Sequence, residues 1–457
     1  MAESKISIKV YVDKVKKRVV YAEADYTFVD ILFSFMTLPM GTIVKILGKH
    51  ADTKFEVLGS LNNLYKSLKD FPECYLATEE CKFLLLNPRN LAHDLCRNLK
   101  LKIDDTDEPI KYFVCPKCSY LSKLYSIFDR AKCSKCSELM NEHFSRDHNV
   151  ASGGGGVFVS DISTFIVTDD FSVMPYTATG SFCLLADLGI TDTNQLEERK
   201  LDLGCEQMLY LLKMALSHGS PFTRLVFHSV TPILDLVRPV QCTTFDKCDV
   251  MKKQASTSLK MLLDVSLQKS TGRFLFAEAK EDFVDFLFSF LSIPLGTVIG
   301  TLMEGASSII CMDNTFKSIS NMSVGRYLKS QDIKDLLVKP HFGQDYTSQN
   351  QAFPLKGTIS SLKLNFCGIT STYLPKDPRI KEVFLKQSGR FFVTDDLVIS
   401  PASSHLAMNI LNKLKVSFYD VEKYEISLGL EEGLRMLKAS LLSGSTLSDS
   451  LAHQLKK

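Results

Sequence analysis

The chain opens on an alternation. Residues 6–12, ISIKVYV, place an apolar side chain at every second position, and residues 18–24, RVVYAEA, follow after the charged turn DKVKK. A period of two around a short polar connection predicts a β-hairpin with one buried face. The pattern then changes. Residues 28–36, FVDILFSFM, are apolar on nearly every side of a helix, which predicts a central buried helix. Thr27 is placed to cap it, with Asp30 three residues on to reach back to the cap amide. Pro39 ends it, and Thr42 is placed to cap a second short helix, TIVKIL.

The same succession returns later. LKMLLDVSL and RFLFAEA flank QKSTG, and FVDFLFSFL follows with Asp282, Asp285, Pro294 and Thr297 in the corresponding places. Residues 276–297 (FAEAKEDFVDFLFSFLSIPLGT) match residues 21–42 (YAEADYTFVDILFSFMTLPMGT) at an offset of 255. Farther on, FIVTDDFSVMP (165–175) returns as FFVTDDLVISP (391–401) at an offset of 226, so the second copy has lost 29 residues between the two blocks. LGCEQMLYLLK (203–213) returns as LGLEEGLRMLK (428–438). Each later block reads as a strand, a turn at an Asp-Asp pair, a second strand ending at Pro175 or Pro401, a helix, another strand and an amphipathic helix. The predicted class is α+β. It comprises two tandem copies of a module built from ββα units: a first full module at 1–228, a linker at 229–258, and a second, degenerate module at 259–457.

Composition changes this picture little. The 457 residues are enough for two or more domains, and 45% hydrophobic with 23% charged residues is ordinary for a globular protein. A net charge of +2 exerts no global pull on nucleic acid or anionic membrane. One segment tests the globular reading. Residues 286–303 run eighteen positions without a charge, near the lower limit for a membrane span. Pro294 and Gly296 interrupt it, and Asp30 and Lys45 bracket a shorter uncharged stretch in the sister segment, so two short buried helices are expected instead.

Cysteine spacing supplies the strongest chemical signal. Of thirteen cysteines, nine have no regular spacing. The other four, Cys115, Cys118, Cys133 and Cys136, form two C-x-x-C units fourteen residues apart, inside the interval the second copy lacks. Two residues between cysteines let a tight turn aim both sulfurs at one ion, and two such knuckles supply four thiolates for tetrahedral zinc. A four-sulfur site is closed, hence structural rather than catalytic, and does not need His143 or His148 downstream. The insert spans about 111–150. Its segment 111–136 carries six Lys or Arg against one Asp, which admits nucleic-acid contact, although a solvated basic face is commoner.

Other candidates carry less. Glu23 and Glu278 recur inside apolar strands and, with Asp30 and Asp285, admit an acid–base reading that requires a shared pocket. Edge-strand or turn-facing positions for the glutamates and helix-cap positions for the aspartates are the far commoner explanation. Gly153–Gly156 lacks the Gly-Lys-Ser/Thr of a phosphate loop and reads as part of a linker, Arg146–Gly156. No catalytic residues and no cofactor besides zinc are expected. The N-terminal MAESKISIKVYV has no apolar leader, and the cysteines form no secreted framework, so a reducing compartment, cytoplasm or nucleus, is expected.

The stretches KVYVDKVKKRVVYAEADYTFVDILFSFMTLPMGT, LLLNPRNLAHDLCRNLKLKIDD, YFVCPKC and FIVTDDFSVMP resemble a plant family of uncharacterised proteins, domain of unknown function 674. The resemblance implies a shared fold and plant origin, and no activity. The doubled opening is also similar to a ubiquitin-like roll, an analogy of fold alone. The sequence therefore reads as an intracellular protein-interaction or scaffold protein with one structural zinc ion. The first module is expected to carry partner contact, and the second to serve as its packing partner. Two alternatives stand beside it: an enzyme or small-ligand binder using a cleft between the modules, and nucleic-acid contact through the basic knuckle.

Overall fold

The computed structural model describes residues 4–49, 58–103, 110–144, 155–161, 163–217, 219–227, 260–359, 361–366, 369–386 and 389–455. The expected linker 229–258 lies outside these residues, as do His148 and most of the glycine-rich stretch.

The alternation at the start does form a hairpin. Strands β1 (Ile6–Asp13) and β2 (Arg18–Ala24) pair antiparallel, with Val10 opposite Ala22. The insert contributes short strands β3 (Tyr112–Val114), β4 (Leu124–Tyr125) and β5 (Glu142–Phe144). Strands β6 (Phe165–Thr168), β7 (Val173–Pro175) and β8 (Leu196–Leu203) complete a sheet in the order β7-β6-β2-β1-β8. In the second half, β9 (Met261–Gln268) and β10 (Phe274–Lys280) form a hairpin, β11 (Leu362–Phe366) and β12 (Ile369–Pro375) another. With β13 (Arg390–Val393), β14 (Ile399–Pro401) and β15 (Val421–Leu428), the second large sheet runs β14-β13-β10-β9-β15. Position for position, the two orders correspond. Mixed helix and strand with antiparallel sheets is the expected α+β class.

The Phe-rich segments are buried helices, Tyr26–Ser34 and Glu281–Ser289, each running into a short 3-10 turn. Phe28, Phe33, Phe283 and Phe288 are fully buried in one hydrophobic core that both halves share. Buried hydroxyls there bond back to the helix, as Ser34 does to the Ile31 carbonyl and Ser289 to that of Phe286. Among the described residues no helix is long and apolar enough to cross a membrane. The uncharged stretch 286–303 breaks at Pro294 into the helix end and a π-helical turn, Thr297–Leu302. Helices Ala178–Asp187 and Ser404–Leu414 cover part of the outer face of one sheet each.

Three capping expectations fail for one reason: the helices start one or two residues before the residues expected to cap them. Asp25, not Thr27, caps the first helix, accepting from the Thr27 and Phe28 amides. Lys280 occupies the cap position of its counterpart, so Asp282 lies inside the first turn. Asp30 and Asp285 are consequently in the second turn, out of reach of any cap. Thr42 and Thr297 donate instead to the carbonyls of Pro88 and Pro340.

The halves interlock. The Met40 amide donates to the Ile293 carbonyl at 3.0 Å and the Leu295 amide to the Leu38 carbonyl at 2.9 Å, around a bridge between Pro39 and Pro294. Ser160 donates to the Tyr327 carbonyl and Lys329 to that of Phe158, while Lys386 donates to the Tyr75 carbonyl and Ala77 to that of Phe384. These contacts come in matched pairs, as around a two-fold axis.

Candidate metal centre

The two cysteine pairs fold into knuckles because each is followed by a tight return of the backbone. After Cys118 the chain makes one helical turn, Ser119–Ser122, and reverses at Lys123, whose φ of 48° lies in the left-handed region. After Cys136, Ser137 takes φ 61°, and its amide reaches the Cys133 carbonyl at 2.9 Å. Strand β3 pairs with β5 and bridges to Ser126, which brings the first knuckle beside the second. The four Sγ atoms of Cys115, Cys118, Cys133 and Cys136 lie within 4.8 Å of one another, with Cys115 and Cys136 3.5 Å apart. Zinc–sulfur bonds of about 2.3 Å in a tetrahedron place sulfurs about 3.8 Å apart, so the cluster fits a metal ion such as zinc.

The surroundings favour thiolates unevenly. Burial would raise the Cys133 thiol, but amides of Lys135 and Cys136 and the neighbouring thiols overcome it and hold it to about 7. Cys118 is pushed up to about 12 by its hydrogen bond to Cys136, then by burial and the charge of nearby sulfurs. Four sulfurs so close share protons unless a cation compensates their charge. Phe128, Ala131 and Met140 pack around the sulfurs, and Phe83 closes the cluster with its ring 5.2 Å from that of Phe128. His143 sits on β5 opposite Phe113, outside the set.

The basic character of this segment is partly spent internally. Lys117 pairs with Glu138, Arg130 with Glu79, and Lys135 donates to the Leu121 carbonyl.

Sequence reasoning missed how the insert is held. Strand β4 pairs in parallel with β12 from the second half, Leu124 beside Leu374 and Tyr125 beside Pro375. Tyr112, Val114 and Tyr125 pack with Leu362 and Tyr373 across this junction. Beneath it, Lys376 Nζ lies 2.7 Å from Glu80 Oε2, and Ser126 donates to the other oxygen of Glu80. Arg89 donates to the hydroxyls of Tyr112 and Tyr125 at 3.1 and 3.3 Å. These partners are far apart in the chain and lie in no periodic motif, so nothing local marked them.

The four carboxylates do not converge. Asp30 accepts from the amides of Val157, Phe158 and Val159, and Asp285 from those of Phe384 and Leu385 and from Ser348 and Asn350. Burial lifts Asp30 to about 6 against these donors and nearby Lys329, and burial raises Asp285 likewise. Glu23 and Glu278 lie on β2 and β10, and Glu278 has Arg390 and Lys423 within 4 Å. In the Asp-Asp turns, Asp169 receives the amide and hydroxyl of Thr223, and Asp395 those of Ser448. A cleft of about 460 Å³ between Ser172–Pro175 and Asn314–Tyr327 is lined by none of these acids.

No curated protein and no solved structure matches the chain. The family described as protein of unknown function (DUF674) matches residues 2–431 and, overlapping, 369–457. The resemblance read from separate stretches thus extends over the whole length, and the chain belongs to the DUF674 family.

Proposed function

We propose that this is a non-catalytic intracellular protein-interaction or scaffold protein of the plant cell, cytoplasmic or nuclear, with one structural zinc ion held by Cys115, Cys118, Cys133 and Cys136. The observation that carries the zinc assignment is the closed grouping of four sulfurs within 4.8 Å, packed beneath Phe83 and Phe128. Four protein ligands complete a tetrahedral ion and leave no position for substrate or water. The ion's role is then to hold two knuckles together so that β4 can dock on β12.

The rest of the reading is architectural. The corresponding strand orders and the matched sequence blocks support two copies of one α+β module, with the knuckle in the first. Asp30, Asp285, Asp169, Asp395 and Glu278 are engaged in turns, backbone amides and ion pairs, which supports a scaffold over acid–base chemistry. Ion pairs at Lys117 and Arg130 reduce the charge left for nucleic acid.

Elemental analysis of reduced protein should find about one zinc per chain, as a four-thiolate site requires. Unchanged zinc in a Cys115→Ser/Cys133→Ser variant would remove the assignment. Affinity purification from plant tissue, wild type beside that variant, tests the interaction role. Recovery of a turned-over small molecule or of nucleic acid in place of protein would redirect it.

A further inference from the structure

Each large sheet ends on a strand with a helix from the other half beside it, and that helix accepts one backbone amide of the strand. Beside β7 lies the helix Ile310–Asn321, where Ser318 Oγ accepts the Val173 amide at 2.9 Å and Asn314 donates to the Asp170 carbonyl at 3.0 Å. Beside β14 lies the helix Leu61–Asp70, where Ser67 Oγ accepts the Ile399 amide at 3.0 Å and Asn63 donates to the Asp396 carbonyl at 3.0 Å. Pro175 and Pro401, which carry no amide hydrogen, finish both edges. The aromatic packing follows the same exchange: Phe71, after the first-half helix, lies 5.2 Å from Phe288 and 5.4 Å from Phe391.

We infer that the two halves are obligate complements: the surface that each presents fits a second half of the same fold, and neither reaches its native structure alone. The exchange is reciprocal at three places, namely the edge helices, the backbone pairing of 158–160 with 327–329 and of 384–386 with 75–77, and the junction at Pro39 and Pro294. A chain ending at residue 227 would leave the Val173 amide and the 158–160 backbone without these partners and open the shared core. Water can replace those bonds on the exposed face, but the apolar side chains of the shared core would be left in water, at about 25 cal/mol for each Å² exposed. Covalent continuity between the halves is then dispensable for their association. This inference is independent of the metal site.

A protease recognition sequence placed between residues 240 and 241 of the full chain tests it. After cutting, both fragments should elute as one particle of about the intact mass, 51.3 kDa, with the circular dichroism of the uncut protein. Two separately eluting fragments that each keep their sheet signal would overturn it. A second measurement leaves the chain uncut. Tryptophan is absent from the sequence, so Tyr210→Trp and Tyr424→Trp each place one reporter in one half. The two urea unfolding curves should share one midpoint and slope. Two resolved transitions, one per half, would refute obligate complementarity.

Discussion

Lys376 and Glu80, 296 residues apart in the chain, meet as an ion pair with a separation of 2.7 Å and side chains only 10% and 5% exposed. One belongs to the strand end on which the knuckle docks, the other to the helix Glu79–Leu86 beneath it. Removing one partner of such a pair strands a charge in the interior. Lys376→Met should therefore destabilise the protein by about 3–5 kcal/mol. The double variant Glu80→Leu/Lys376→Met should lose less than Lys376→Met alone, because no charge is left behind. Urea denaturation of the variants measures both. A double variant that loses the sum of the two single effects would show that the pair is not coupled.

Metal removal should act locally before it acts globally. The knuckles are held by the sulfur cluster, whereas the large sheets are held by the shared core. A chelator should raise amide exchange at 112–140 and at the paired strand 369–375, while β1, β2, β9 and β10 stay protected. Hydrogen-exchange mass spectrometry reads this directly. Uniform loss of protection would place the metal in a global folding role.

Asp30 sets a pH dependence with a definite sign. Its folded pKa of about 6 lies above the usual carboxylate value because burial outweighs the three amides it accepts. The folded state thus holds this proton more tightly than the unfolded chain does. Its contribution is fully present below about pH 4 and is lost as pH rises through about 6, a change of roughly 2–3 kcal/mol. Asp285, Asp169 and Asp395, raised by the same cause, act in the same sense. Asp30→Asn should flatten the slope of urea midpoint against pH between 4 and 6. An unchanged slope would assign the dependence to the other acids.

The serines that accept the edge amides should differ in energy. Ser67→Ala strands the Ile399 amide in a buried position and should cost about 1–3 kcal/mol. Ser318→Ala frees the Val173 amide beside the cleft, where water can replace the hydroxyl, and should cost less. Urea melts of the two variants measure the difference. A larger cost at Ser318 than at Ser67 would show that the cleft side is the drier edge.

Much of this protein was determined by patterns along the chain. The period-two alternation of ISIKVYV makes β1, because one face of that strand must leave water and the other need not. FVDILFSFM makes a buried helix because it has no polar face to turn outward. The cysteine spacing brings four sulfurs together because a two-residue interval confines each pair to one turn. What the chain could not display is which element packs on which. Asp30 and Asp285 look like residues that support a cap, yet helix starts two residues earlier leave their carboxylates to backbone amides more than ninety residues away. Glu80 and Lys376, or Ser318 and Val173, share no motif, since a contact between distant segments is specified by the shapes of both surfaces and not by either alone. The exchange of helices between halves is of that kind. A helix amphipathic enough to cover a sheet fits its own sheet and its neighbour's equally by pattern, and only the tertiary arrangement around Pro39 and Pro294 decides between them.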